Sequence, residues 1–288
     1  MCDDGIVIDL SRMKGITVDV AARRVHVEAG CNWGEVNDVL QAHDLATTGG
    51  FVSVTGVSGL TLGGGLGWLA RKHGLALDNL LSAEVVLADG SLVTSSSAEY
   101  EDLFWAIRGG GGNFGVVTSF EFQAHPVGTV LAGIVLHSAA NAAGAIRQWR
   151  DLEATAPDES TQGALLFHFP DDPSASQALR GAALVGLGGV YAGLLEEGEK
   201  VFGRSESTGP SPTCFGPCLT MPHSGWRIFF GQPGLHAYWK SSYLSAACRN
   251  YGNVSVRPEP IEPGPGTKPC RRALSCSCHS EAVVGQFD

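Results

Sequence analysis

Two glycine-dense runs are the segments of this chain whose spacing could do chemistry. The first is Thr55-Gly56-Val57-Ser58-Gly59-Leu60-Thr61-Leu62-Gly63-Gly64-Gly65-Leu66-Gly67-Trp68. Glycines this close let backbone N–H groups converge with no β-carbon in the way. Such a nest beside a helix start stabilises an anionic group such as a pyrophosphate. The same spacing also serves a helix packed tightly on a strand with nothing bound between them, and glycine motifs alone have low specificity. The second run, Gly110-Gly111-Gly112-Asn113-Phe114-Gly115, fits G-x-G-x-x-G literally. A Rossmann fingerprint needs a strand before those glycines and a helix after them. Here a helical pattern precedes and a strand pattern follows, so a nicotinamide site is rejected. Taken by itself, the run reads as a helix-to-strand connection threaded through a tight space.

The other chemistry-bearing residues are less organised. Cys276-Ser277-Cys278-His279, with Cys270 nearby, has zinc-ligand types. Its C-x-C-H spacing is not a finger spacing, and Cys214 and Cys218 lie far off, so no metal site is assigned. His26, His43, His73, His125, His137 and His168 are scattered. They read as surface or satisfied core residues rather than as a general base, and no catalytic residue is assigned.

The elements that must position the glycines follow from periodicity. Ile6-Val7-Ile8 is a short apolar run read as a strand. Ile16, Val18 and Val20 alternate with polar residues, as do Val25, Val27 and Ala29, with a turn at Ala21 to Arg24. Trp33 to His43 reads as a helix with Trp33, Val36, Val39 and Leu40 on one face. Leu62 to His73 reads as a helix stopped by Gly74. Leu80 to Ala88 and Ser91 to Thr94 form a hairpin across Asp89-Gly90, a strong two-residue turn signal. Ser96-Ser97-Ala98-Glu99 fits a capping box opening a helix with Tyr100, Leu103, Phe104 and Ile107 on one face. Val116 to Phe122 is a strand, broken at His125-Pro126. Beyond residue 128 the pattern restarts. Val130 to Leu136, Leu165 to Phe169 and Ala182 to Leu187 read as strands, and Ala139 to Glu153 and Leu194 to Phe202 as helices. This order is α+β with hairpins, not a regular βαβ alternation.

Composition narrows the classes. The chain has 288 residues, 44% of them hydrophobic, and a net charge of −10. It can bury a core, and it lacks the basic excess of a nucleic-acid binder. The 39 glycines show no G-X-Y period, which excludes collagen. The uncharged stretches Leu45 to Ala70 and Phe122 to Ile146 are broken by glycines and polar residues and do not read as membrane spans. With an acidic start and no basic n-region, a soluble, cytoplasmic protein is expected. Composition shifts near Gly203. Beyond it lie Cys214, Cys218, Cys248, Cys270, Cys276 and Cys278 and most of the prolines. Residues 203–288 therefore read as an irregular Pro- and Cys-rich tail, irregular above all at Pro258 to Pro269, with a globular patch at 231–245.

Read together and in order, several of these segments form a specific pattern. They are Gly56-Val-Ser-Gly59, Leu62-Gly-Gly-Gly65, Gly67-Trp68, Gly74-Leu-Ala-Leu-Asp-Asn79, Asp89-Gly90, Asp102-Leu-Phe-Trp-Ala-Ile-Arg-Gly109 and Gly112-Asn-Phe-Gly-Val-Val-Thr118. The stretch from Asp4 to Val127 resembles the FAD-binding domain of the para-cresol methylhydroxylase (PCMH) and vanillyl-alcohol oxidase superfamily. It is most similar to the berberine bridge enzyme and hydroxynicotine oxidase branch. The resemblance implies an FAD-binding domain over 1–127 and part of an antiparallel-sheet substrate domain over 128–202, with the flavin between them. It implies an FAD-dependent oxidoreductase that moves a hydride from a small organic substrate to flavin N5, with dioxygen as acceptor. By position, Thr55, Gly56, Val57, Gly59, Gly63, Gly64 and Gly67 should line the pyrophosphate and ribityl side, and backbone near Val117 should approach the adenine. Tyr238 and Lys240 fall on a strand that faces substrate in the family. Nucleic-acid and membrane partners are not implied, and the oligomeric state is open.

The pattern also departs from the family. Members carry a further phosphate loop, with the histidine that attaches to the flavin, ahead of the segment matching Gly5-Ile6-Val7-Ile8. Some attach flavin C6 through a cysteine where this chain has Val52. FAD is therefore expected to be non-covalent at most. Asn250-Tyr251-Gly252 lacks the Arg-Leu continuation seen in relatives. These departures read as an N-terminally truncated chain whose C-terminal sequence reflects an altered reading frame. They leave a second expectation open, a non-catalytic relic that binds flavin weakly or not at all.

Overall fold

The computed structural model describes residues 5–169, 171 and 177–203, together with the backbone of strands at 213–218, 255–259 and 273–277. The first layer is an antiparallel five-stranded sheet. Its strands are β1 (Ile16–Asp19), β2 (Arg24–Glu28), β4 (Leu80–Val86), β5 (Leu92–Ser96) and β6 (Val116–Gln123), in the order β1-β2-β6-β4-β5. Two-residue strands β3 (Leu45–Ala46) and β7 (His125–Pro126) pair separately. Alternation works as expected on β2, where Val25 and Val27 are fully buried between exposed neighbours. They join Phe120, Phe122 and Trp33 in one core, with the Trp33 and Phe122 rings 5.6 Å apart. The hairpin between β4 and β5 turns at Asp89-Gly90, and Gly90 takes φ +83°.

Four helices serve this layer: α1 (Trp33–Gln41), α2 (Val57–Leu62), α3 (Ala70–His73) and α4 (Glu101–Ile107). Helix α1 opens on a full capping box, in which Asn32 accepts from the Glu35 amide and Glu35 accepts from the Asn32 amide. A 3-10 turn spans Ala76–Asn79.

Three local expectations are corrected. The helix expected from Leu62 to His73 is absent over 63–69, leaving α2 to end at Leu62 and α3 to start at Ala70, because Gly64 and Gly65 take φ +117° and +86°, which a right-handed helix does not allow. Ser96 does not cap a helix. Its hydroxyl accepts from the amides of Ala98 and Glu99 in a turn, and α4 starts after Tyr100, which is left-handed at φ +48°. Ile6, Val7 and Ile8 form no strand and are 90%, 71% and 62% exposed.

The second layer is the antiparallel sheet β11-β8-β10-β9, built from β8 (Val130–Ser138), β9 (Ser160–His168), β10 (Ala183–Tyr191) and β11 (Thr213–Cys218). Strand β11 arises within the stretch read as an irregular tail, as do β12 (Ser255–Glu259), which takes in Pro258, and its partner β13 (Ala273–Ser277). Helices α5 (Ala142–Glu153) and α6 (Leu195–Gly203) cover one face of the second sheet. Ala142 and Ile146 pack on Val185 and Leu187, and Phe202 packs on Leu131 and Tyr191. The other face, through Ala132 and Val190, packs on Trp68 with Phe51 and Val127. Burial from both sides explains why β8 is buried at every residue but its last. Strand β9 starts earlier than the apolar pattern suggests, at Ser160, and β10 runs further because glycines continue it. A Cβ on Gly188 would sit 2.3 Å from the Gly133 carbonyl oxygen, and one on Gly189 would sit 2.1 Å from that of Thr161.

Candidate functional site

The first glycine run divides into two halves with different physical reasons for glycine. Helix α2 is fastened by its inner side. Trp33 N–H donates to the Thr55 carbonyl (3.0 Å), Val57 N–H to that of Cys31 (3.0 Å), and the Ser58 hydroxyl to that of Ala29 (2.6 Å). Val57 is fully buried. Gly56, Gly59 and Gly63, three and four residues apart, share the opposite face and are exposed. Among the described residues, a Cβ on Gly56 or Gly59 would meet nothing within 4 Å, and one on Gly63 would meet only carbonyls of its own helix. Internal packing therefore does not explain glycine at 56 and 59. The result is a side-chain-free strip. The amides of Ser58 and Gly59 lie in its first turn, where a helix supplies no acceptor of its own.

In the second half, packing is the reason. A Cβ on Gly67 would sit 1.7 Å from the Gly49 carbonyl oxygen, and one on Gly65 would sit 2.4 Å from the Ala76 methyl. The carbonyls of Gly64 and Gly65 accept from Leu77 (3.0 Å) and Ala76 (2.8 Å), which seats the loop on the 3-10 turn.

The second run comes back to the first. Gly109 N–H donates to the Leu62 carbonyl at 3.0 Å, at the very end of the exposed strip. Gly109 and Gly111 take φ +111° and +78°, and a Cβ on either would meet nothing within 4 Å. Gly110 and Gly115 are packing glycines, with a Cβ landing 2.2 Å from the Ala106 oxygen and 2.6 Å from that of Val86. Val117 lies two residues further, its side chain in the core, so backbone is all it could offer a ligand.

The geometry thus brings Gly56, Gly59 and Gly63 to one surface beside the second glycine run, with Thr55 half-buried just ahead of it and its carbonyl turned inward to Trp33. It gives Val57 and Gly67 buried places, and Gly64 a seat on the 3-10 turn. Tyr238 and Lys240, and the side chains of Cys270, Cys276, Cys278 and His279, lie outside the described residues. Among the described residues no group of three His, Cys, Asp or Glu could hold a metal, and no helix is long and apolar enough to cross a membrane.

Two features of the interface between the layers escaped the sequence reading. One is an apolar cavity of about 180 Å³ between Phe51 and Trp68 on one side and Ile134, Gly163, Gly186 and Gly188 on the other. Phe51 and Trp68 meet edge to face, 4.7 Å between centroids. The other is a pair of cations on α3 that fasten the second layer. Arg71 pairs with Glu153 and donates to the Ala156 carbonyl at 3.0 Å, and Lys72 donates to that of Ala192 at 2.7 Å with Glu159 3.6 Å away. Burial pushes the Glu153 carboxyl up, with Arg71 pulling the other way. The run Ala70-Arg71-Lys72-His73 carried this signal as a basic last turn, but its acidic partners come some 80 residues later.

Residues 1–96 match the family described as FAD binding domain. The chain is 51% identical over 134 residues to the FAD-linked oxidoreductase pgmH of Aspergillus terreus, covering 46% of this chain and 27% of that protein. Among solved structures, 6-hydroxy-D-nicotine oxidase from Arthrobacter nicotinovorans superposes with a TM-score of 0.66 at 30% identity, over 75% of this chain and 47% of its own. The BBE-like 1 protein of Physcomitrella patens superposes with a TM-score of 0.63 at 26% identity, over 73% and 44%. The chain thus spans less than half the length of each of these proteins. By sequence and by fold it is a relative of the FAD-linked oxidoreductases, and FAD is the cofactor of its matched domain.

Proposed function

We propose that this relative of the FAD-linked oxidoreductases acts as the flavin-holding part of an oxidase for a small organic substrate, with dioxygen as the electron acceptor. The supporting observation is the Gly109 to Leu62 hydrogen bond, which sets the second glycine run against the side-chain-free strip of α2. Bound FAD would supply the two-electron acceptor.

The residues present fit that group. Gly56, Gly59 and Gly63 let a pyrophosphate approach backbone, and the Ser58 and Gly59 amides are donors of the right kind for its oxygens. Thr55 and the backbone at Val57, Gly64 and Gly67 shape the same loop, and backbone near Val117 is the candidate for the adenine side. The cavity behind Phe51 and Trp68 is apolar enough to hold a flat ring or the substrate beside it and to exclude water. Val52, which follows Phe51 in the chain, is aliphatic and cannot form a thioether to a bound flavin. In this reading 1–127 is the cofactor domain and 128–202 the substrate side, with Tyr238 and Lys240 as candidate substrate contacts. The acidic balance disfavours polyanionic partners.

The test is direct. The chain is purified and its visible spectrum taken after gel filtration, and its melting temperature is followed as FAD is added. Retained flavin bands, or stabilisation by ~2.7 kcal/mol at a hundredfold excess over Kd, support the proposal. Colourless protein whose melt ignores FAD refutes it and favours a non-binding relic.

A further inference from the structure

Behind the glycine loop, where α3, the 3-10 turn and β7 meet, two histidines are stacked. The rings of His73 and His125 lie 3.9 Å apart, centroid to centroid, and 8° from parallel. Buried Asn79 holds both. Its Nδ2 donates to the carbonyls of His73 (2.9 Å) and Leu75 (2.8 Å) and lies 3.4 Å from Thr48 Oγ1. With the amide nitrogen committed to carbonyls, Oδ1 is what faces His125 Nε2, at 2.6 Å. The imidazole must therefore donate there, so the neutral ring carries its proton on Nε2 and keeps Nδ1 basic. His73 Nε2 is buried and has no hydrogen-bond partner among the described residues. A proton added there would be an unsatisfied buried donor on a ring stacked against a second base.

We propose that the His73–His125 stack is an acid-released latch that, through Asn79, keeps the glycine loop seated. Asn79 ends the 3-10 turn whose Ala76 and Leu77 amides hold the Gly65 and Gly64 carbonyls. His73 ends α3 and adjoins Lys72, which holds the second layer through the Ala192 carbonyl. Charging either ring pushes the stack apart and loosens both attachments. The facing charges are Lys72 on α3, Glu159 ahead of β9 and Arg23 in the β1–β2 turn. Burial, then His125 and Lys72, hold His73 down at about 4 from an ordinary 6.5, with Glu159 pulling up. Burial and Arg23 lower His125. The unfolded chain therefore takes up these protons at higher pH than the folded one. The latch is fully closed above the ordinary histidine range and is lost as pH falls toward His73's own value.

The latch needs no flavin, so its test separates from that of the proposed function. Histidine ring signals of the full chain are titrated by NMR, and amide exchange over 62–79 is measured from pH 7.5 to 4.5 with intrinsic rates divided out. Wild type should show a ring titrating well below 6, and opening of the loop that increases about tenfold or more across the range. His73→Phe keeps a flat ring without charge. His125→Gln keeps an amide donor for Asn79 Oδ1. The double variant should lose the acid-dependent opening. The same opening in the double variant would overturn the latch. If that variant fails to fold, the wild-type titration decides alone, since both rings titrating at the ordinary value would also overturn it.

Discussion

Two alanine substitutions in one glycine run look alike by sequence, yet Gly59→Ala and Gly67→Ala should behave in opposite ways. At Gly67 the new methyl carbon would fall 1.7 Å from the Gly49 carbonyl oxygen. The obstacle is backbone, so no rotamer change relieves it. Overpacking costs ~1–3 kcal/mol, and against rigid backbone the upper end applies. At ~2–4 °C per kcal/mol for a body of this size, the melting temperature should fall by about 6–12 °C. Protein that remains folded should bind FAD nearly as wild type does.

At Gly59 the methyl carbon meets nothing within 4 Å. Alanine in a helix is favoured over glycine by ~1 kcal/mol, so G59A should melt at or above wild type. The same methyl projects from the strip proposed to face the pyrophosphate. Its FAD affinity should fall at least ~10-fold, which is ~1.4 kcal/mol of binding energy. Circular-dichroism melts and a flavin-fluorescence titration read the two effects separately. If G59A binds FAD as tightly as wild type, the strip is not the ligand side. If G59A destabilises as much as G67A, the division of the run into two halves is wrong.

Three further outcomes follow from the same geometry. Gly56→Asp places a good cap at the start of α2, so stability should rise by about a few tenths of a kcal/mol while its carboxylate takes the first-turn amides and weakens FAD binding, seen by melt and titration. Arg71→Ala leaves a half-buried Glu153 without its cation and should destabilise by ~1–2 kcal/mol at neutral pH, a buried-pair loss discounted for partial exposure. Because burial already raises the Glu153 carboxyl, protonation relieves it, so the gap between R71A and wild type should narrow as pH falls from 7 to 5 in denaturant melts. Gly163→Leu adds a side chain where a Cβ meets nothing within 4 Å, on the wall of the Phe51–Trp68 cavity. It should fold normally, retain FAD and raise KM for a substrate, and loss of flavin instead would place the ring itself in that cavity.

What the sequence made legible was local. The Asp89-Gly90 hairpin is set by two residues' own dihedral preferences, and α1 by one apolar stripe and one cap, so neither needs the rest of the chain. The α+β order follows from the same short-range patterns. The errors have a common cause. Ser96-Ser97-Ala98-Glu99 satisfies a capping pattern, but the same hydroxyl closes a turn just as well, and Tyr100 settles which occurs. Glycines in β10 depress strand propensity while removing clashes that only the neighbouring strands reveal.

The site shows the same limit more sharply. Fourteen consecutive letters identified a glycine run, and nothing in them separates Gly59 from Gly67. The separation comes from the Gly49 carbonyl, which the fold brings against one and not the other. Likewise Arg71 and Glu153, or His73 and His125, become pairs only once two layers have packed. The run therefore needs glycine at its far end to seat the loop, while no packing among the described residues requires it at the near end. A ligand strip made of glycine alone would be too mobile to present fixed amides, since glycine loses more backbone entropy on ordering than any other residue. Fastening α2 from its inner side, through the Trp33–Thr55, Val57–Cys31 and Ser58–Ala29 hydrogen bonds, supplies the rigidity that preorganised binding requires.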